Sequence, residues 1–162
     1  MMSVLPELAQ DFLDACKRQG VLAATAESCT GGQIIALLTD IPGASSMIDC
    51  GFVTYSNEAK QKMLGVKAET LEAHGAVSAE TAREMAEGAL KKSRAGISLA
   101  VTGIAGPDGG SAEKPVGLVW FAIARKGHPT RVQKRQFEDG GRDHIRSETA
   151  RTALVMGISA LS

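Results

Sequence analysis

Three adjacent side chains that can act as nucleophiles, Ser28, Cys29 and Thr30, stand before two glycines, Gly31 and Gly32, in the stretch "AESCTGGQIIALL" (26–38). A residue at the first turn of a helix sits among unpaired backbone amides, at the positive end of the aligned peptide dipoles. Amides there can hold an oxyanion, and glycines let a substrate come close to the backbone. The same residue types also make an ordinary helix cap, worth about 1 kcal/mol. Nucleophile, anion cradle and cap therefore all remain open from the local pattern. Cys29 reads either as a thiolate lowered in pKa by the helix start or as a small buried hydrophobe.

A serine nucleophile needs a base. The three histidines, His74, His128 and His144, fall in no arrangement that suggests a Ser–His–Asp relay. His74 and His128 lie beside glycine and proline and are expected in exposed loops, and His144 on the polar side of the last helix. A lysine can serve instead when burial or a nearby cation lowers its pKa. Lys60 is a candidate in "TYSNEAK" (54–60), where the hydroxyl of Tyr55 is placed to relay a proton. A third polar segment, "TGIAGPDGG" (102–110), contains Thr102, Gly103 and Gly106. It lacks the Gly-Lys-Ser/Thr of a Walker A loop and the spacing of a dinucleotide fingerprint. Its amides can form an anion nest, or it is simply a tight turn between strands. Arg142 and Arg146 lie one helical turn apart, so both can face one phosphate, or both can pair with Asp143 and Glu148 on the surface.

The elements that must position these residues alternate along the chain. Residues 4–18 carry helical apolar spacing closed by Gly20, and "VLAATA" (21–26) reads as a buried strand. Helical spacing resumes over 33–39, and "DIPGASS" (40–46) is a loop. "MIDCGFVTYS" (47–56) is a second strand, followed by a helix through "NEAKQKML" with Asn57 as its cap and Gly65 as its stop. Within 73–92 a Ser78-based capping signature opens a helix exposing Glu80, Arg83, Glu84 and Glu87. That helix hides Ala82, Met85, Ala86, Ala89 and Leu90. "GISLAVTGIAG" (96–106) and "GLVWFAIARK" (117–126) are strands, with Trp120 expected in the core, and "RVQKRQF" (131–137) closes a hairpin. Residues 140–161 form the last helix, its apolar stripe running through Ile145, Ala153, Leu154 and Ile158. Helices alternating with strands, then a hairpin, point to an α/β fold: a three-layer α/β/α sandwich with a mixed sheet. In open α/β sheets, ligands bind outside the carboxyl ends of the strands. The three polar segments all follow strand ends, so they can converge.

Composition sets the outer bounds. A chain of 162 residues fits one domain, 1–162, with 44% hydrophobic and 22% charged residues. Eighteen Lys plus Arg balance eighteen Asp plus Glu, so no global field draws the chain to nucleic acid or membrane. Cys16, Cys29 and Cys50 are odd in number and form no C-x-x-C, so neither a disulfide framework nor a structural zinc site is indicated. No run of 18 apolar residues and no leader-like start is present, and a cytoplasmic setting is expected.

Four stretches, "TAESCTGGQIIALLTDIPGAS", "GFVTYSNEAKQKMLGV", "GAVSAETAREMAEGA" and "AVTGIAGPDGGSAEKPVGLVWFAIA", closely resemble the CinA C-terminal domain family, in order, from about residue 5 to the end. The resemblance implies a three-layer α/β/α fold and hydrolysis of the carboxamide of nicotinamide mononucleotide in pyridine nucleotide recycling. It implies a serine–lysine mechanism without metal or cofactor, with Ser28 as nucleophile, Lys60 as base and Tyr55 assisting. Cys29, Thr30, Gly31, Gly32, Thr102, Gly103 and Gly106 are then expected to line the substrate site, with Arg142 and Arg146 near the phosphate. Family members are commonly oligomers, and a homo-oligomer acting on a small pyridine ribonucleotide is expected. Two departures bear on phosphate binding. Asp108 stands where the family usually has glycine, and Gly141 stands where an aspartate is common before Arg142. The rival to an amidohydrolase is a non-catalytic nucleotide- or partner-binding module of the kind the family's competence and damage association suggests.

Overall fold

The computed structural model describes residues 4–162. Five strands form one mixed sheet in the order β2-β1-β3-β4-β5. They are β1 (Ala23–Glu27), β2 (Ile48–Val53), β3 (Ile97–Gly103), β4 (Leu118–Arg125) and β5 (Arg131–Gln136). β2, β1 and β3 run parallel, while β4 and β5 are antiparallel additions. Helices α1 (Val4–Gln19), α2 (Gln33–Thr39) and α6 (Arg142–Ala160) cover one face. Helices α3 (Asn57–Leu64), α4 (Ala68–His74) and α5 (Ala79–Lys91) cover the other. The expected three-layer α/β/α sandwich with a mixed sheet is the observed fold.

The central strands carry the small, apolar side chains that burial on both faces demands. β1 and β3 are buried along almost their whole length. On the first face Phe12 and Leu13 of α1, Ile34 and Leu38 of α2 and Ile145 and Leu154 of α6 pack against Leu99, Val101 and Phe121. On the second, Met85, Ala86 and Ala89 of α5 lie on Ala26, Ala100 and Ala122. A Cβ on Gly88 would collide with the carbonyl of Leu64, so glycine there lets α5 seat directly on the end of α3.

Several local expectations differ from the structure. The second strand ends at Val53, because Thr54–Ser56 leave the sheet to enter α3. Ser56, not Asn57, caps that helix: its hydroxyl accepts from the Ala59 amide at 3.0 Å. Ser78 likewise accepts from Thr81 at 3.1 Å, and no carboxylate returns the bond. Helix α4 has no counterpart in the sequence analysis, since its seven residues are too few for a period to stand out. Glu84 is only partly exposed because its carboxylate supplies the cap that α4 lacks, accepting from the Lys67 amide at 2.9 Å and the Thr70 hydroxyl at 2.6 Å. Glu87 accepts from Thr130 at 2.6 Å. Trp120 is half-buried rather than a core residue, with the Lys134 ammonium 5.7 Å from its ring centroid. Leu90 and Ile158 are also only partly buried.

Candidate active site

The parallel pairing of β1 with β2 aligns Glu27 with Val53, and that with β3 aligns it with Val101. The segments that follow the three strands therefore start from one edge of the sheet. Side chains alternate along β1, and at its carboxyl end two consecutive residues part company. Glu27 faces the α2 layer; Ser28 faces α3.

On the α3 side, the amine of Lys60 lies 2.8 Å from Ser28 Oγ, and both residues are buried. The Lys60 Nζ also donates to the carbonyls of Thr54 at 2.8 Å and Tyr55 at 3.4 Å. Among the described residues no carboxylate pairs with it. Burial without a counter-ion pushes the Lys60 pKa below the ordinary lysine value, the nearby Cys29 opposing this only in part. The three polar contacts of the amine are the Ser28 hydroxyl oxygen and the carbonyls of Thr54 and Tyr55, all of which accept from it. The helix that carries Lys60 owes its register to the Ser56 cap and the Gly65 stop at φ 73°.

On the α2 side, Glu27 is fully buried and its carboxylate accepts four hydrogen bonds. The donors are the Thr30 hydroxyl at 2.6 Å and the amides of Gly32, Ile34 and Ile35 at 3.2, 2.9 and 2.9 Å. The first amides of α2 are thus engaged inside the protein, which leaves an oxyanion only the amides of the turn that precedes the helix. Counting the remaining amides is informative. Ser28 N donates to Val101, Gly31 N to Ser28 and Gln33 N to Thr30. The amides of Cys29 and Thr30 alone, among residues 28–35, donate to no group among the described residues. Gly31 and Gly32 take left-handed conformations at φ 59° and 105° to turn the chain into α2.

A pocket of about 220 Å³ opens onto the serine, lined by Ser28, Cys29, Lys60, Thr102, Gly103 and Arg142 among others. Tyr55, Ala76, Val77 and Ala105 line it as well. Thr102 donates to the Ala76 carbonyl at 2.8 Å and so pins the 75–78 segment beside the serine. Burial pushes the Cys29 thiol up to about 12, so it stands protonated next to the serine rather than as a competing thiolate. No histidine lines this pocket.

The two arginines separate. Arg142 donates to the Gly106 carbonyl at 2.7 Å and to the Tyr55 hydroxyl at 2.9 Å, bridging two loops across the pocket mouth. Arg146 donates to the carbonyls of Cys29 at 3.1 Å and Thr30 at 2.8 Å, so it braces the serine turn and does not line the pocket. The Tyr55 hydroxyl meets Arg142, whereas the Tyr55 backbone carbonyl meets Lys60. With no carboxylate at position 141, Arg142 is held by Gly106 and Tyr55. Asp108 is exposed and lies outside the pocket lining. Sequence analysis missed Glu27; a carboxylate ending an otherwise uncharged buried strand was the available signal.

The model of the CinA C-terminal domain matches residues 5–161. The chain is 49% identical over 152 residues to a nicotinamide-nucleotide amidohydrolase PncC from Escherichia coli strain K12, covering 94% of this chain and 92% of that one. It is 49% identical to a putative competence-damage inducible protein of Caldanaerobacter subterraneus, over 93% of this chain and 36% of that longer relative. The crystal structure of competence/damage inducible protein CihA from Agrobacterium tumefaciens shares the fold with a TM-score of 0.93 at 52% identity, over 97% and 94% of the two chains. The chain belongs to the CinA C-terminal domain family.

Proposed function

We propose that the protein is an amidohydrolase converting nicotinamide mononucleotide to nicotinic acid mononucleotide and ammonia, with Ser28 as nucleophile and Lys60 as base. The observation that carries this is the buried Lys60 amine, 2.8 Å from Ser28 Oγ and paired with no carboxylate. The 49% identity to the Escherichia coli amidohydrolase supports the substrate and the reaction class.

In the forward step the Lys60 lone pair takes the Ser28 proton as Oγ attacks the carboxamide carbon. The unpaired amides of Cys29 and Thr30 are the donors available to the resulting oxyanion. The Lys60 ammonium then returns the proton to the departing nitrogen, ammonia leaves, and an ester on Ser28 remains. Water, deprotonated by the same lysine, cleaves that ester to release the acid. The overall change is amide plus water to acid plus ammonia, with no redox step.

The pocket lies below the roughly 300–1,000 Å³ usual for a whole ligand. It suits the pyridine ring with its carboxamide, leaving ribose and phosphate at the rim where Arg142 and Tyr55 stand. Thr102 and Gly103 then flank the ring. Such a product would feed the recycling of nicotinamide nucleotides. A homo-oligomer in the cytoplasm fits the family; no described helix is long and apolar enough to cross a membrane.

Ammonia release from nicotinamide mononucleotide, compared with free nicotinamide and nicotinamide riboside, tests the assignment. Preference for the phosphorylated substrate is expected. Binding of the mononucleotide without turnover would instead identify a binding module, and equal turnover of all three would remove the nucleotide from the specificity.

A further inference from the structure

Glu27 is fully buried at the carboxyl end of β1, and none of the described cations lies within ion-pair distance of it. Burying a carboxylate is costly unless hydrogen bonds replace its water. Elsewhere in this chain an uncharged serine caps a helix with one accepted bond, at Ser56 and Ser78. At α2 the chain uses a buried charge with four donors, all within residues 30–35. The carboxylate gathers the amide side of the turn that directly follows Ser28. From the opposite side the Arg146 guanidinium gathers its carbonyls, at Cys29 and Thr30. A Cβ on Gly31 would lie 3.3 Å from Arg146 Nη2, so the turn and the guanidinium are in close contact. Between these two charged clamps the turn keeps only the Cys29 and Thr30 amides unpaired.

Building on the serine–lysine assignment above, we propose that Glu27 is a positioning residue for the nucleophile. Together with Arg146 it fixes where Ser28 Oγ and the next two amides point, and neither side chain touches the substrate. Displacing a reacting group by about 1 Å can cost roughly 100-fold in rate. The distinguishing signature is a loss in kcat with KM preserved, because the clamp acts on the attack geometry rather than on the pocket rim.

The test compares wild type with Glu27→Gln, which keeps the volume but removes the charge and points amide hydrogens at amide donors. Two readouts are taken per folded molecule: ammonia release from nicotinamide mononucleotide, and acylation of Ser28 by p-nitrophenyl acetate followed by mass. Glu27→Gln is expected to lower kcat about 10- to 100-fold with KM within about threefold. It should slow Ser28 acylation by a similar factor. Should Glu27→Gln fail to fold, Thr30→Val, which removes one of the four donors, and Arg146→Lys, which cannot hold both carbonyls in a planar fork, carry the same comparison. Each should lower kcat about 3- to 10-fold at unchanged KM. Wild type that acylates at Ser28 without turning over the nucleotide would sink the substrate assignment alone; slowed acylation in the variants would still support the clamp. Unchanged kcat and acylation per folded molecule, with only Tm lowered, would overturn it. So would a wild type that is not acylated at Ser28.

Discussion

Two concavities lie on either side of the segment 75–78, and the larger is not the one that holds the serine–lysine pair. The Trp120 pocket, about 430 Å³, is lined by His74, Glu80, Lys114, Trp120 and Lys134. The serine pocket is about half that volume. Thr102 and Trp120 are directly paired across β3 and β4, so the two sites stand on neighbouring points of one sheet face. Their charged groups behave differently. Around Trp120 the lysines are anchored outward, Lys134 over the indole and Lys114 on the His74 carbonyl at 2.6 Å. In the smaller pocket a lysine is buried with a serine as its neighbour and no described carboxylate beside it. Solvated charges cost little and do little, while burial lowers the pKa of the Lys60 amine and makes it the candidate base.

The sharpest way to break the contrast is at the dyad. Ser28→Ala should lower ammonia release by about 10⁴-fold or more, since a nucleophile and its base act as a unit. Lys60→Met should lose nearly as much, and the same variant carries a second signature in stability. Because burial lowers the Lys60 pKa, the unfolded chain binds this proton more tightly than the folded one. The penalty is absent above the ordinary lysine pKa and grows as pH falls toward the lowered one. Lys60→Met should therefore show a higher Tm than wild type at neutral pH, with the gap closing in alkali. Equal Tm values at all pH would mean that the amine is not desolvated. In the wild type, kcat/KM should rise with pH along a limb whose midpoint lies below the ordinary lysine pKa, as Lys60 loses its proton. A limb that persists in Lys60→Met belongs to another group.

The rim should respond less. Arg142→Ala removes the bridge from Gly106 to Tyr55 and the guanidinium nearest the proposed phosphate position, and should raise KM about tenfold, near 1.4 kcal/mol. A loss confined to kcat would place Arg142 in the chemistry instead. The smallest effect is expected across the partition: Lys134→Ala should change kcat/KM by less than about twofold, as surface substitutions remote from a site usually do. A tenfold loss there would join the two pockets into one extended substrate site.

Much of this was legible in the sequence, and the limits are physical. Periodicity placed the long helices and the central strands, because burial on one face or both leaves a regular trace. It missed α4, whose seven residues are too few for a period and whose cap is borrowed from Glu84. Ser28 and Lys60 were picked out by residue type and by resemblance. Their contact depends on the parallel register of β1 and β2 across 32 residues, which no spacing rule contains. The paired arginines show the opposite failure. One turn of helix puts Arg142 and Arg146 on one face, yet one reaches the rim and the other the serine turn, because the loops around 106 and 30 present carbonyls to each. Glu27 stayed hidden for a related reason: its four donors follow it in the chain, and only the folded turn aims them back.

The most direct test of the serine–lysine dyad measures ammonia release from nicotinamide mononucleotide by wild type, Ser28→Ala and Lys60→Ala side by side, with folding checked by circular dichroism. Release by the wild type that collapses in both folded variants is the expected result. Release that survives in folded Ser28→Ala, or a wild type that releases none, would contradict it.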